Sequence, residues 1–344
     1  MTAEHGAEPG RLVRRPGLRA GSRPLVIVLL AVALLLVIAF VSLMWGAIEL
    51  TPREVISGLT SQNDIFARNV VWKIRYPRVL DAMLVGASLA VAGSLLQGVT
   101  RNPLADPTIL GITAAAGLAS AGALVVNPQI PQWGLTMACV GGGLLGASIL
   151  FVIAWRGAIS PVRLALAGVA LSAFFGAAIV GLLSSSRTFL QTSLGFLAGG
   201  LYGSEWSDFR AMLPYVIPGF AGAWLLSGRL NILALGDDVA AGLGVATDRT
   251  RVLILLVCGV LTGAAVAVAG LVSFVGLVCP HLARFTVGSD NRYLIPIAAL
   301  YGAILVTAAD LGARLVIQPS EIPMGIITAG VGAPFLLYLV KYRG

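Results

Sequence analysis

Long apolar blocks separated by short polar segments run through the chain from residue 24 onward. Most blocks hold the roughly 20 residues that an α-helix needs to cross a hydrocarbon core about 30 Å thick. They predict ten membrane spans, at residues 24–45, 78–98, 108–126, 134–154, 162–183, 209–226, 250–269, 271–288, 294–315 and 324–341. The stretch 250–288 is almost continuously apolar, and Gly270 and Pro280 predict that it breaks into two helices.

The composition supports a membrane protein and excludes a soluble enzyme. Of the 344 residues, 58% are hydrophobic and 11% are charged, so there is too little polar surface to cover a globule in water. We therefore predict an all-α polytopic membrane protein with about ten transmembrane helices. Residues 24–344 form this domain, and residues 1–23, which contain five arginines, form a basic cytoplasmic tail.

The distribution of basic residues predicts the orientation of the helices. The chain carries a net charge of +8, with 23 Lys and Arg residues against 15 Asp and Glu residues. Basic residues collect on the cytoplasmic side of membrane proteins, and ten helices with both termini in the cytoplasm place most of them there. A nine-helix topology would put Lys341 and Arg343 outside. No nucleic-acid partner is expected, because the charges lie between membrane spans.

The predicted first outside loop, residues 46–77, is an exception to this rule. Five basic residues lie in or beside it: Arg53, Arg68, Lys73, Arg75 and Arg78. A loop of this length can cross the membrane regardless of its charge, with the last two arginines anchoring the start of a helix. Alternatively, these residues form an outward basic patch that meets an acidic partner.

Glycine pairs spaced four residues apart recur in the apolar blocks, as in Gly142-xxx-Gly146 and Gly259-xxx-Gly263. This spacing lets helices approach closely, and ordinary helix packing is its simplest role. Residues 84–93 also match residues 261–270 at seven of ten positions, which suggests the internal repeat from which many transporters are built.

The chain lacks the motifs of the enzymes that a membrane protein could be. It contains no HExxH, GxSxG or GxxxxGK[ST] motif, and its two histidines and three cysteines show no metal-ligand spacing. Catalytic residues, a metal site and a bound cofactor are therefore not expected. Asp310 and Arg314 are most simply a local ion pair, although an ion relay is an alternative. A transport protein of this kind would take its energy from a partner.

The segment RNPLADP, at residues 101–107, predicts a tight turn between two spans. Pro103 and Pro107 stop one helix and restart another, and Asn102 can cap backbone groups.

The segment LNILALGDDVAAGLG, at residues 230–244, predicts a short helix between the sixth and seventh spans. Gly236 makes a turn, Asp237 or Asp238 caps the helix, and Gly242 or Gly244 ends it. A short rigid helix exposed on a cytoplasmic loop suits insertion into the groove of another protein.

Together with SFVGLVCPH at residues 273–281, these two segments closely resemble the permease subunits of FecCD-type (type II) ABC importers, which take up ferric siderophores, haem and cobalamin. The resemblance implies the type II ABC importer permease fold, with a second permease subunit that is either a copy or a paralogue. It also implies two cytosolic ATPase subunits, which use ATP and Mg, and an extracytoplasmic substrate-binding protein.

The resemblance further implies roles for particular residues. The ATPase-coupling loop, at about 227–249, contains Leu235, Gly236, Asp237, Asp238, Ala240 and Gly244. The cytoplasmic gate contains Asn102 and Leu104, and the arginines that receive the binding protein are Arg75, Arg78 and Arg314. The fifth span lines the pathway, where its small residues include Gly168, Ser172 and Gly176, although helix packing explains the same residues.

The expected function is the permease subunit of an ATP-driven importer that moves a ferric siderophore, or a similar metal chelate, inward across the bacterial cytoplasmic (inner) membrane. Haem and cobalamin are alternative substrates within the same family. An ATP-independent secondary transporter, or a channel, is the alternative from a different class.

Overall fold

The computed structural model describes residues 23–46, 48–60, 64–156, 158–184, 195–318 and 320–343. The predicted basic tail, apart from Arg23, lies outside these residues. The helices are α1 (Arg23–Met44), α2 (Pro52–Thr60), α3 (Ile65–Asn69), a π-helical turn (Val70–Arg75), α4 (Tyr76–Thr100), α5 (Ile112–Val126), α6 (Gln132–Ala154), α7 (Pro161–Ser184), α8 (Trp206–Leu233), α9 (Asp237–Gly242), α10 (Thr247–Ala269), α11 (Val275–Val287), α12 (Asn291–Leu315) and α13 (Met324–Arg343). Between α6 and α7, β1 (Trp155–Arg156) pairs antiparallel with β2 (Ala158–Ile159).

The ten predicted spans are confirmed as ten apolar helices. Seven helices are long and apolar enough to cross a membrane, and the shorter apolar helices α5, α11 and α13 occupy the other three predicted positions. The predicted break within 250–288 is also confirmed. Gly270 and Phe274, with φ of 67° and 68°, separate α10 from α11, whereas Pro280 lies inside α11.

The predicted first outside loop, residues 46–77, contains the short helices α2 and α3 and the π-helical turn, which the sequence analysis did not predict. A capping box starts α2. The backbone N–H of Thr51 donates to Glu54 Oε2 at 2.7 Å, and the backbone N–H of Glu54 donates to Thr51 Oγ1 at 3.3 Å. The sequence Thr-Pro-Arg-Glu is a recognisable helix start, with proline at the first helical position, and it could have predicted this helix.

The bundle has two ends, which we name by their residues. The end where α4 begins is the Arg78 end, and the end where α4 finishes is the Asp237 end. Arg101, just after α4, contacts Asp237 of α9, so α10 begins where α4 finishes. The two helices that contain the repeated segments, α4 and α10, therefore run in opposite directions. Opposite directions of the two segments are what an inverted repeat requires, and the repeat itself stays a prediction.

Glycines let the two central helices approach their main neighbours, which are α12 for α4 and α6 for α10. A Cβ placed on Gly86 would lie 2.1 Å from the carbonyl oxygen of Gly302, and one on Gly143 would lie 2.4 Å from that of Gly259. Because no larger side chain fits at these crossings, the close packing predicted for the glycine-rich spans is confirmed.

Candidate functional site

The short helix α9 projects at the Asp237 end and has well-defined boundaries. Gly236, with φ of 115°, occupies the N-cap position without a side-chain cap, so the prediction that Asp237 or Asp238 caps the helix was wrong. At the other end the N–H of Gly244, with φ of 79°, donates to Ala241 O, and the N–H of Val245 donates to Ala240 O. This pair of bonds is a Schellman motif, which confirms the predicted glycine-dependent end.

The carboxylate of Asp237 joins α9 to two other segments of the chain. Its Oδ1 accepts hydrogen bonds from Nη2 of Arg101, in the turn after α4, and from Nη2 of Arg251 in α10, the latter at 2.8 Å. Arg101 Nε also donates to the carbonyl oxygen of Leu233, at the end of α8, at 3.0 Å. One acidic side chain therefore holds together α9, α10 and the turn that joins α4 to α5.

The electrostatic balance of this site depends on Arg251, whose side chain is only 1% exposed. A buried guanidinium requires a carboxylate partner, because leaving it unpaired costs several kcal/mol. Partial burial acts to raise the pKa of Asp237, but the hydrogen bond and charge of Arg251 and the charge of Arg101 outweigh this effect and lower the pKa. Asp237 therefore remains ionised at neutral pH.

The turn between α4 and α5 is held by its own polar side chains. Asn102 Oδ1 accepts the backbone N–H of Leu104 at 2.9 Å, which confirms the predicted capping role of Asn102. Asp106 is buried, and its Oδ1 accepts the N–H of Thr108 at 2.7 Å. Burial raises the pKa of Asp106. The gate role of Asn102 and Leu104 stays a prediction.

Three large apolar side chains are exposed on α9 and its flanks. Leu235 just before the helix, Val239 within it and Leu243 at its C-cap are 63%, 50% and 60% exposed. Ala240, in contrast, is fully buried against the rest of the protein. We call the three exposed residues the apolar ridge. Their exposure outside the membrane spans is typical of a protein-binding surface.

An ion-pair network lies at the Arg78 end. Arg78 Nη2 lies 2.9 Å from Asp310 Oδ1 and 2.8 Å from Glu321 Oε2, and Arg314 Nε lies 3.2 Å from Asp310 Oδ2. The ion pair predicted between Asp310 and Arg314 is therefore confirmed. The sequence did not reveal Arg78 and Glu321 as its other members, because they lie far from Asp310 along the chain.

Two arginines fasten the end of α1 to this network. Arg75 Nη1 donates to the carbonyl oxygens of Leu43 at 2.6 Å and Met44 at 2.8 Å, and Arg314 Nη1 donates to that of Trp45 at 2.9 Å. These carbonyl groups at the end of a helix have no partner within the helix. Arg75 and Arg314 are each 5% exposed, so their guanidinium groups serve internal contacts in this structure.

Removal of Arg78 is expected to destabilise the protein. In the Arg78→Gln variant Asp310 would lose one of its two cationic partners and Glu321 would lose its anchor, so the free energy of unfolding should fall by about 3 kcal/mol. Thermal or denaturant unfolding of the purified chain in detergent measures this change. The control is Arg53→Gln, because Arg53 is exposed and such a surface change costs at most about 0.5 kcal/mol. Equal losses in the two variants would contradict a stabilising network.

A cavity of about 660 Å³ opens at the Arg78 end between α4, α5, α10 and the segment before α13. Its wall carries Arg78, Asp310 and Glu321 beside small and apolar residues such as Ala121 and Leu201. Arg78 pairs with both carboxylates, and most of the remaining lining residues are apolar.

The three residues predicted to line the pathway lie on α7, but on different surfaces. Ser172 Oγ donates to the carbonyl oxygens of Thr108 at 2.7 Å and Ile109 at 3.0 Å, and Gly168 is packed against Leu110. Both therefore contribute to helix packing in this structure. Gly176 faces open space among the described residues. The pathway-lining role of all three stays a prediction.

Residues 34–342 match the FecCD transport family. The chain belongs to this family. A permease protein of the Fe(3+)-citrate import system of Bacillus subtilis, YfmE, is 36% identical over 325 residues, which cover 94% of this chain and 97% of that protein. The hemin transport system permease protein HmuU of Yersinia pestis is 40% identical over 315 residues, which cover 89% and 92%.

A solved structure supports the same assignment at the level of the fold. It is described as an inward-facing conformation of a metal-chelate type ABC transporter, and it is 31% identical to this chain with a TM-score of 0.81. The comparison covers 92% of this chain and 99% of the other. The family resemblance and the permease fold predicted from the sequence are therefore confirmed.

Proposed function

We propose that this FecCD family member is the membrane-spanning subunit of an ATP-driven importer that moves a ferric siderophore or a similar metal chelate into a bacterial cell through the inner membrane. In this proposal the Asp237 end and both termini face the cytoplasm. The main supporting observation is a helix, α9, that exposes the apolar ridge while Asp237 holds it to α10 and to the turn after α4.

The proposed coupling step uses the contacts of α9. Two cytosolic ATPase subunits, which bind ATP and Mg, receive the apolar ridge in a surface groove and move α9 when they close. Because Asp237 is bonded to Arg101 and Arg251, this movement is passed to the turn that carries Asn102 and Leu104 and to α10. The permease thereby alternates between outward and inward openings without hydrolysing ATP itself.

The pathway lies between two permease subunits, which are copies of this chain or paralogues. Large apolar residues on α7, including Leu166, Val169 and Phe174, are exposed in the single chain. With Gly176 they would face the second subunit and the space between the subunits, where few polar groups could hold a chelate tightly. Relatives named for Fe(3+)-citrate and for hemin are both similar to this chain over most of its length, which favours the delivering binding protein as the determinant of specificity.

The Arg78 end would receive the binding protein. Arg75, Arg78 and Arg314 were predicted to contact it, but their internal hydrogen bonds and ion pairs would compete with the partner's carboxylates. We propose that these three residues shape the docking surface and that the exposed Arg53, Arg68 and Lys73 supply its outward charge.

Charge reversal at Arg53, Arg68 and Lys73 is expected to weaken docking of the substrate-binding protein. Replacing all three with Glu turns attraction of an acidic partner into repulsion, so the dissociation constant should rise at least about tenfold at low salt and less at high salt. Binding to the permease in nanodiscs measures this effect. The Arg249→Glu variant, altered at the opposite end, is the control. If docking of the triple variant is unchanged, these residues do not form the docking charge.

Uptake by reconstituted vesicles tests the proposed function as a whole. Vesicles that contain the permease, the ATPase subunits and the binding protein should accumulate the labelled ferric chelate only with ATP. Vesicles that contain the permease alone should not. Accumulation by the permease alone would instead support a secondary transporter.

A further inference from the structure

Asp81 is a fully buried carboxyl group on α4, one helical turn after Arg78. Neither of its side-chain oxygens has a hydrogen-bond partner in good geometry, and no salt bridge reaches it within the part of the chain that the structure describes. The similarly buried Asp310, in contrast, has two arginine partners. Asp81 is therefore a buried acid without a cation to balance a negative charge.

The polar groups closest to Asp81 belong to the first turn of α8 and to the segment before it. The hydroxyl group of Ser204, which is buried, and the carboxylate of Asp208 lie close enough to act on the carboxyl group of Asp81. Asp208 is engaged at the start of α8, where its Oδ2 accepts the backbone N–H of Glu205 at 2.8 Å. The charge that acts on Asp81 is therefore negative, as its own would be if it were ionised.

The other charged groups on the segments packed around this position are paired elsewhere or exposed to solvent. Those with other partners are Arg75, Arg78, Asp310, Arg314 and Glu321, and those that are exposed are Lys73, Glu205 and Arg210. The helix α10 has no ionisable residue after Cys258. Arg284 of α11 bonds to Gln97, more than four turns farther along α4.

A negative charge in these surroundings is unfavourable. An isolated carboxylate is so costly to bury that a buried acid without a cationic partner binds a proton instead. A second negative charge beside Asp208 would add repulsion, which is strong where the dielectric constant is low. The neutral form, in contrast, can donate its proton to the hydroxyl oxygen of Ser204.

The first turns of α4 and α8 meet at this position, and we call this contact the α4–α8 junction. Trp206 Nε1 donates to the carbonyl oxygen of Trp72 at 2.7 Å. The ring of Trp206 also packs on the rings of Trp72 and Tyr76, with centroids 5.8 Å and 5.6 Å apart. These contacts require the two helix starts to lie close together, which a charge on Asp81 would oppose.

We propose that Asp81 is a proton-binding site that controls the α4–α8 junction. With its proton bound, Asp81 packs between the two helices, and loss of the proton separates their first turns. This role goes beyond the importer function and is independent of it, because it concerns the permease chain alone.

The pH dependence of unfolding tests for the bound proton. Asp81 in the unfolded chain is exposed and ionised above about pH 4, whereas the folded chain keeps the proton, so unfolding releases it. The equilibrium constant for unfolding, divided by that of the Asp81→Asn variant, should therefore rise about tenfold per pH unit from about pH 5 to about pH 7. Denaturant unfolding of the full chain in detergent provides both constants.

Matched variants distinguish this site from general effects of pH. The Glu49→Gln variant, which removes an exposed carboxyl group at the same end, should keep the tenfold dependence. The Asp81→Leu variant should lose it as Asp81→Asn does, so that a packing defect in one variant cannot imitate the result. Equal pH dependence of the original protein and both Asp81 variants would overturn the proposal. Stabilisation by sodium at constant ionic strength would also overturn it, because it would assign the site to a metal cation.

Quenching of Trp206 fluorescence by acrylamide tests the effect on the junction. The signal of Trp206 is isolated by subtracting that of the Trp206→Phe variant. Buried carboxyl groups can keep their protons up to about pH 8–9, so quenching should increase above that range in the original protein and stay constant in Asp81→Asn. Unchanged quenching of the original protein up to about pH 10 would overturn control of the junction by this proton.

Discussion

Asparagine in place of Asp237 is expected to reduce the amount of chelate imported per ATP hydrolysed at least about tenfold. The substitution keeps the size of the side chain but removes the charge that holds Arg101 and Arg251. Arg251 would then be buried without its strong partner, because its remaining carboxylate contact, with Asp248, is 3.8 Å long. The helix α9 could still bind the ATPase subunits but would pass less of their movement to the rest of the permease.

Proteoliposomes with the complete transporter measure this ratio, because uptake and phosphate release can be followed in the same sample. The Asp238→Asn variant is the comparison, since Asp238 is exposed in the same helical turn. It removes the same charge without removing an ion pair of the network, so its loss should be much smaller. Equal losses in the two variants would show that the charge of the loop matters and that the Asp237 contacts do not.

The pH dependence of this contact is expected to be flat in the physiological range. The pKa of Asp237 is lowered in the folded protein, so its ionised form stabilises the fold above the ordinary carboxylate pKa, about 3.9. This stabilisation is lost only as the pH falls through the lowered value. The import per ATP should therefore show no transition assigned to Asp237 between pH 8 and pH 5. A transition in this range that disappears in Asp237→Asn would contradict the assignment.

Truncation of the apolar ridge is expected to weaken binding of the ATPase subunits. The Leu235→Ala and Leu243→Ala substitutions each remove an exposed apolar side chain that the proposed groove would bury, and such burial is worth about 1.5–3 kcal/mol. The dissociation constant should therefore rise about tenfold or more for each substitution. Binding of purified ATPase to the permease in nanodiscs measures this change.

The control for the ridge is Ile317→Ala, because Ile317 is a similarly exposed apolar residue at the Arg78 end. It should leave ATPase binding unchanged while testing whether loss of any exposed apolar side chain has the same effect. Unchanged binding in both leucine variants would show that the ATPase subunits contact a different surface.

The membrane helices could be predicted because their main determinant is local. Lipid offers no hydrogen-bond partner to backbone N–H and C=O groups, so they must bond within their own segment. A sufficiently long block of apolar residues therefore forms a spanning helix however its neighbours pack. The break near Gly270 and the end of α9 near Gly244 were predictable for the same reason. Both positions have a positive φ, and glycine adopts this conformation without a steric penalty. The helix α2 was equally local, and its capping box at Thr51 and Glu54 was overlooked.

The partners of the charged residues could not be predicted, because the tertiary structure alone brings them together. The sequence shows that Arg75, Arg78 and Arg314 are basic and lie near predicted helix ends. Only the packing of α1, α4 and α12 decides that two of them cap the end of α1 and that the third binds Asp310 and Glu321.

The same division applies to the Asp237 end of the molecule. The sequence by itself determined a short exposed helix with a glycine at each boundary and two acidic residues in its first turn. The tertiary structure decided which acidic residue holds α9 to the rest of the chain, because the energetic cost of burying Arg251 selects the carboxylate that lies within hydrogen-bond reach. Local sequence fixes where a helix begins and ends, whereas the contribution of a charged side chain to stability depends on the solvent and partners that surround it in the folded protein.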